Sequence, residues 1–505
     1  MLSISDTSAA AVPCPTPFNM AAHVLRHAAT QPDKTALSIA DGPRHTDWSY
    51  AELEAAVRGT GTGLLQAGLR PGDVVLMRLG NTVEFPIAYL GAIAAGLVPV
   101  PTSAQLTEPE TTRMIALLKP AAVLRDPAIS CASHPCQITT ESLVAMRDLA
   151  PCDYDMGSPD RSAYVVFTSG TSGNPRAVLH AHRAVWARQM MVSGWYGLRP
   201  DDRLLHAGAF NWTFTLGTGL MDPWAAGATA LVPAPGTSPE ALPQMLRDHR
   251  ATLFAAAPGV YRKMLRADLP PLPDLRQGLC AGEKLNPAIL AQWKRATDRP
   301  LHEAFGMSEC STFISSCPEQ PARDGSLGQP QPGRRVAILG AEGPVQRGEP
   351  GTIAVHRSDP GLMLGYLHAE AETAERFQGD WFLTGDLGVM HADGQIHYLG
   401  RDDDMMNAGG YRVSPIEVET ALAAHPGLSQ VAAAAVEIKP GVEIVAAFYT
   451  GPEEVSVSEL EAFASARLAR YKQPRAYVHL DSLPLGANGK LRRRALPALF
   501  KGNPR

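Results

Sequence analysis

The sequence predicts an α/β protein with a large N-terminal domain of layered α/β subdomains plus a β-rich subdomain, followed by a small α+β C-terminal domain. Three observations predict it. Short apolar, β-rich runs alternate with segments of helical apolar spacing through the first quarter of the chain, the pattern of parallel strands covered by helices. The chain, 505 residues long, is too large for one ordinary core. A separate alternation of helices and strands occupies roughly the last hundred residues.

In chain order, residues 1–17 are rich in Ser, Ala and Pro and lack both a basic start and a long apolar run, which predicts a flexible, frayed tail and not a signal peptide. Helical spacing at 18–27 leads through Gln31-Pro-Asp-Lys34 into a strand at 35–39. Ser49, with Glu52 three residues on, forms a capping-box signature for a helix over 50–67 that ends at Gly68. Strands at 74–77, 98–100 and 120–125 flank a second helix at 84–96. Ala163-Tyr-Val-Val-Phe167 reads as a buried strand, 184–194 as a helix, and 252–258 and 279–285 as further buried strands. From 328 to 366 short strands and turns predict the β-rich subdomain. Beyond it, helices at 414–424 and 456–468 alternate with strands at 431–437, 442–449 and 476–480. The boundary falls at the acidic triplet Asp402-Asp-Asp404, giving domains over 18–402 and 403–505.

A formal net charge of −5 with 19% charged residues leaves no global basic surface, which disfavours nucleic acid as a partner. Seven cysteines at 14, 131, 136, 152, 280, 310 and 317 form no Cys-x-x-Cys pair, so reduced thiols, a cytoplasmic location and no zinc site are expected. No run approaches the ~20 apolar residues needed to span a bilayer.

The most informative stretch is Phe167-Thr-Ser-Gly-Thr-Ser-Gly-Asn-Pro-Arg-Ala-Val178. Gly170 and Gly173 permit close backbone approach, while Thr168, Ser169, Thr171 and Ser172 offer hydroxyls beside their N–H groups. That chemistry suits phosphate oxygens, although a surface turn has the same composition. It is not a Walker loop, because Asn174-Pro175 breaks the chain and no lysine follows Gly173. Further on come Ala209-Phe-Asn-Trp-Thr-Phe214, crowded with aromatics, and Leu279-Cys-Ala-Gly-Glu-Lys-Leu285. Phe305-Gly-Met-Ser-Glu309, Trp381-Phe-Leu-Thr-Gly-Asp-Leu387 and the run from Tyr398 to Val413 follow, and Pro484-Leu-Gly-Ala-Asn-Gly-Lys-Leu-Arg-Arg493 closes the series. Read alone, these are core aromatics, turns, a solvated acidic linker and an exposed basic tail.

Together and in this order they resemble the AMP-forming acyl/aryl-CoA synthetases of the adenylate-forming superfamily, over roughly residues 20–500. The glycine-rich stretch is similar to Thr-Ser-Gly-Thr-Thr-Gly-x-Pro-Lys-Gly-Val, with Ser172, Arg176 and Ala177 departing from it. Phe305 and Ser308 stand for the family's Tyr and Thr, and Gly486 replaces a Thr. Phe167-Thr-Ser-Gly-Thr-Ser-Gly, Met221-Asp-Pro-Trp-Ala-Ala-Gly-Ala and Ala281-Gly-Glu most resemble medium-chain acyl, benzoate and aminobenzoate CoA ligases.

The resemblance implies an acid–CoA ligase that uses ATP, Mg²⁺ and CoA, as a monomer or homodimer, with a mobile small domain. ATP and AMP would meet Thr168, Ser169, Gly170, Thr171, Ser172, Gly173, Gly282, Glu283, Lys284, Phe305, Gly306, Met307 and Ser308, with Asp386 and Arg401 on the ribose. Arg176, Glu309 and Lys490 would be catalytic, Glu309 also holding Mg²⁺, which favours hard carboxylate oxygens. The acyl pocket would be lined by Phe210, Asn211, Trp212, Ala257 and Gly282. Asn211 stands where amino-acid-activating members carry an Asp, which disfavours an α-amino acid. Lys284, unusual at its position, is expected to meet a polar or acidic group on the substrate. Asp403 would be the hinge, and Gly409, Gly410 and Arg412 would serve CoA, Gly409 and Gly410 allowing close approach to its pantetheine arm. An enzyme that loads a separate carrier protein, and a binding protein that retains only the fold, remain as alternatives.

Overall fold

The computed structural model describes residues 1–168, 176–408, 411–439, 442–486 and 490–500. Packing divides it into two compact units, Ser5–Val336 with Val355–Phe382, and Met1–Ile4 with Ala337–Ala354 and Leu383–Arg505.

The first unit is built on a sheet whose central strands are parallel. Leu301–Met307, Gln277–Ala281, Leu253–Ala256, Arg203–Ala207, Thr229–Pro233 and Thr35–Asp41 lie side by side, with antiparallel strands Ser311–Ser315 and Arg44–Ser49 flanking them. A second parallel sheet orders Val98–Pro101, Val74–Arg78, Ala122–Arg125 and Gln137–Thr139. The alternation in the sequence places these strands because apolar runs buried on both faces need helices on both sides. Helix Tyr50–Gln66 begins at the expected box: Ser49 Oγ accepts from Glu52 N–H at 3.2 Å and Glu52 Oε2 accepts from Ser49 N–H at 2.7 Å. It packs closely on helix Glu84–Ala94, since a Cβ on Gly91 would lie 2.8 Å from Val57 O.

Several expectations are corrected. The first residues are not a frayed tail: Ile4–Asp6 form a strand, Ser3 N–H donates to Val345 O at 2.8 Å, and Trp186 Nε1 donates to Val12 O at 2.7 Å. The helix expected over 184–194 is a short α-helix, Arg183–Ala187, followed by a π-turn, Val192–Tyr196. Gly194 packs against Gln331, whose Cγ would be 2.9 Å from an added Cβ. The strand expected over 279–285 stops at Ala281, because Gly282 takes φ +99° and turns the chain out of the sheet.

In the second unit, Gln430–Lys439 and Val442–Thr450 pair antiparallel, and Ala476–His479 adds in parallel. Helices Pro415–Leu422 and Val457–Ser465 are capped by Ser414 and Ser456, which accept from the N–H groups of Glu417 and Glu459. Trp381–Met390 pairs antiparallel with Ile396–Arg401 and sets Asp386 opposite Arg401.

Candidate active site

The glycine-rich stretch joins strands Ser162–Thr168 and Arg176–Ala181, an antiparallel pair with Thr168 opposite Arg176. Ser169, Gly170, Thr171, Ser172 and Gly173 lie outside the described residues, as do Gly409 and Gly410, and Arg412 belongs to strand Tyr411–Val413. Arg176 is held from two sides. Its Nε donates to Glu372 Oε2 at 2.9 Å, and its guanidinium lies 5.2 Å from the centre of the Tyr366 ring. A planar cation stacked on a ring is fixed more tightly than a flexible ammonium would be.

Tyr366 also reaches Glu309. Its hydroxyl donates to Glu309 Oε1 at 2.8 Å, and the carboxylate is only 7% exposed. Burial first, and then the neighbouring Glu309 carboxylate, push the Tyr366 phenol above its ordinary pKa. The loop bearing Glu309 follows strand Leu301–Met307, in which Phe305 meets Phe313 edge-on at 5.5 Å. Gly306 is required there, since a Cβ would lie 2.2 Å from Ser311 O. His180 Nε2–H donates to Ser308 O at 2.7 Å, and Met363 N–H donates to Glu309 O at 2.8 Å. Burial holds His180 neutral, with its pKa pushed down to about 4.

Around the expected acyl segment, Phe210 is committed to the core, its ring 5.7 Å from Phe85 and its N–H on Asn81 Oδ1 at 2.7 Å. Asn211 and Trp212 are half-buried, as is Ala257, the residue that follows strand Leu253–Ala256. Trp212 lies over Gly282, where a Cβ would come 2.6 Å from the indole. Glu283 is half-buried. The ammonium of Lys284 contacts Glu303 Oε2 at 2.8 Å and Ser326 O at 3.2 Å. Glu303 is buried, which raises its pKa, and Lys284 opposes that rise, so a carboxylate of the protein itself partners the lysine.

In the second unit, Asp386 is 5% exposed on the inner face of its strand, beside Thr384, whose Oγ1 accepts from Asp386 N–H at 3.1 Å. Tyr398 donates to Asp386 Oδ1 at 2.8 Å, and Arg401 Nη1 stands 3.9 Å from Oδ2. Asp403 is bridged to Arg401 at 3.1 Å and to Arg494 at 2.7 Å. Lys490 is exposed, and its backbone O accepts from Gly486 N–H at 2.7 Å. Of its basic neighbours, Arg492 and Arg494 are exposed, while Arg493 is half-buried on Glu419, with Asp404 at 3.6 Å.

Tyr366, Glu372, Glu303 and Tyr398 were not singled out from sequence. Glu303 carried a signal, a charge two residues before Phe305 within an apolar strand. Tyr366 and Glu372 lie far in sequence from the groups they orient, and Tyr398 reaches Asp386 from the next strand of a hairpin.

Between residues 24 and 367 the chain matches the model of the AMP-binding enzymes, and between 417 and 490 that of the AMP-binding enzyme C-terminal domain. It is 29% identical to a 3-hydroxybenzoate–CoA ligase of Aromatoleum sp. (strain CIB), covering 90% of this chain and 92% of that protein. With the benzoate–CoA ligase of Thauera aromatica it shares 30% identity over 88% of this chain and 90% of that one. The fold matches the crystal structure of the anthranilate CoA ligase AuaEII in complex with anthranoyl-AMP with a TM-score of 0.87 at 25% identity, over 96% and 98% of the two chains.

Proposed function

The chain belongs to the AMP-binding enzyme family, and from that premise we propose how its residues act as an AMP-forming acid–CoA ligase. A carboxylate oxygen attacks the α-phosphorus of ATP, the bond to the β-phosphate oxygen breaks, and pyrophosphate leaves. The thiol of CoA then attacks the acyl carbonyl, and AMP leaves. The acid is an aryl or a short- or medium-chain carboxylic acid.

The observation that carries the assignment of roles is Glu309, a buried carboxylate with one oxygen fixed by Tyr366. The reaction brings two anions together, so positive charge must stand where negative charge develops. Glu309 suits Mg²⁺, which takes one or two protein carboxylates and completes its shell with phosphate and water oxygens. When bound, the ion would neutralise charge on the triphosphate. Arg176, oriented by Glu372 and Tyr366, grips the β- and γ-phosphates with its terminal nitrogens. Lys490 supplies charge at the α-phosphate.

Asp386 accepts from the ribose hydroxyls, steadied by Tyr398, and Arg401 assists. Phe305 stacks on the adenine, and Asn211, Trp212, Ala257 and Gly282 face the acid. Asp403 acts as the hinge between the half-reactions, marking the functional boundary between 18–402 and 403–505, and Gly409, Gly410 and Arg412 serve CoA.

Acid-dependent exchange of labelled pyrophosphate into ATP tests this assignment. Lys490→Ala is expected to lower the exchange rate by at least about a hundredfold. Exchange at the wild-type rate in that variant would remove Lys490 from the mechanism.

A further inference from the structure

Strand Arg176–Ala181 supports the site at more than its first residue. Val178 pairs with Tyr366, and two residues on, His180 Nε2–H donates to Ser308 O at 2.7 Å. That carbonyl belongs to the peptide bond joining Ser308 to Glu309. A peptide unit is planar, so holding its oxygen sets the plane from which Glu309 starts. Tyr366 holds the Glu309 carboxylate and Met363 N–H holds its carbonyl, and His180 adds a third support.

This contact needs the proton on Nε2. The ring is stacked on Tyr164, its cross-strand partner, at 4.8 Å and 17°, which fixes its plane. The imidazole is 2% exposed and neutral, so with Nε2 donating, Nδ1 is an acceptor. Nδ1 has no hydrogen-bond partner among the described residues, and neither has the hydroxyl of Tyr89, a fully buried residue of helix Glu84–Ala94.

His180 and Tyr89 line one cavity of about 20 Å³, bordered also by Tyr164, Arg188, Ser308 and Ser311. Its size and charge define what it takes. The volume is far below the ~300 Å³ or more of a small-molecule pocket, but one water needs only ~10–15 Å³ and two or more polar partners. An anion would find no free positive charge, because Arg188 is committed to Asp222 through bonds of 2.6 and 2.7 Å. A water donates to Nδ1 and accepts from the Tyr89 hydroxyl, which completes both buried groups and keeps the proton on Nε2.

We infer that His180 is a positioning residue for acyl-adenylate formation, setting Glu309 through Ser308 O, and that one buried water shared with Tyr89 holds it in the tautomer that does so. This rests on the ligase reading given above. It also confines the effect to the first half-reaction, since Glu309 is assigned to the Mg²⁺ of the triphosphate, which is gone once pyrophosphate has left.

The test compares the two half-reactions in the wild type, His180→Leu, His180→Gln and Tyr89→Phe. The first is exchange of labelled pyrophosphate into ATP with benzoate, butyrate or octanoate, whichever the wild type uses fastest. The second is thioester formation from CoA and the matching synthetic acyl-adenylate at saturation. His180→Leu is expected to slow exchange by about ten- to a hundredfold, the range from a lost hydrogen bond to a group misplaced by about 1 Å. Thioester formation in that variant is expected to stay within about twofold of the wild type. His180→Gln offers an amide N–H to the same carbonyl and an oxygen to the cavity, and is expected to recover exchange to within about fivefold of the wild type. Tyr89→Phe keeps the ring, stands if His180→Leu fails to fold, and is expected to slow exchange by about three- to tenfold. Equal losses in both half-reactions, a glutamine variant as slow as the leucine one, or exchange at the wild-type rate in His180→Leu or Tyr89→Phe overturns the inference while leaving the ligase reading intact. Wild-type silence with all three acids overturns the ligase reading and this inference with it.

Discussion

Tyr366 donates its phenolic hydrogen to Glu309 Oε1 at 2.8 Å, while its ring carries the Arg176 guanidinium at 5.2 Å. One side chain therefore orients both the carboxylate assigned to Mg²⁺ and the cation assigned to pyrophosphate. Tyr366→Phe keeps the ring and removes the donor. It is expected to weaken the apparent affinity for Mg²⁺·ATP by about tenfold, as loss of a hydrogen bond to a buried charge would. Chelation of Mg²⁺ is expected to abolish pyrophosphate release in the wild type. A titration of Mg²⁺ against pyrophosphate release checks both.

Tyr398 stands to Asp386 as Tyr366 stands to Glu309, a phenol on a buried carboxylate at 2.8 Å. Tyr398→Phe leaves Asp386 with one partner fewer and frees it to turn. The expected outcome is an increase in KM for ATP of about five- to tenfold with a smaller change in kcat, because ribose binding is lost in the ground state and transition state alike. Steady-state kinetics over ATP concentration distinguish this from a fall in kcat alone.

Asp403 is bridged by Arg401 and Arg494. If the chain turns at this residue between half-reactions, Asp403→Pro, which fixes φ, separates them. Acid-dependent pyrophosphate exchange is expected to persist, while thioester formation falls by at least about tenfold. Equal losses in both half-reactions would place the hinge elsewhere.

Histidines 180, 182, 206 and 302 are buried and His23 is half-buried, and burial pushes the pKa of each down to between about 3 and about 4 from an ordinary 6.5. The unfolded chain therefore binds more protons than the folded one below pH ~6.5. Their contribution is complete above the ordinary histidine pKa and is lost as pH falls toward 4, at up to about 1.4 kcal/mol per pH unit for each. Thermal midpoints are expected to hold between pH 8 and 7 and to fall progressively from pH 6.5 to 5. A midpoint unchanged from pH 7 to 5 would contradict this.

Periodicity located the parallel strands and the capped helices because those features are local: Ser49 and Glu52 satisfy each other within one turn. Fixed-order motifs singled out Glu309, Asp386 and Arg176 as candidates because they too are local. What orients them was hidden, since Tyr366 and Glu372 reach Glu309 and Arg176 only through the return of a distant strand, Gly365–Tyr366, onto Arg176–Ala181. The partner of Lys284 was hidden in the same way, for no local pattern pairs it with Glu303, which it contacts at 2.8 Å. The basic cluster near the C-terminus looked solvated, yet Arg493 is half-buried against Glu419. Ion pairs of this kind carry no periodic signature, so only the folded chain shows them.

The most direct measurement is ATP-dependent release of AMP and pyrophosphate across short-chain, medium-chain and aryl carboxylic acids, each with and without CoA. Sustained AMP release is expected only when an acid and CoA are both present, with the matching acyl-CoA as product. Acid-dependent turnover that ignores CoA, with acyl transfer to a carrier protein in its place, would contradict it.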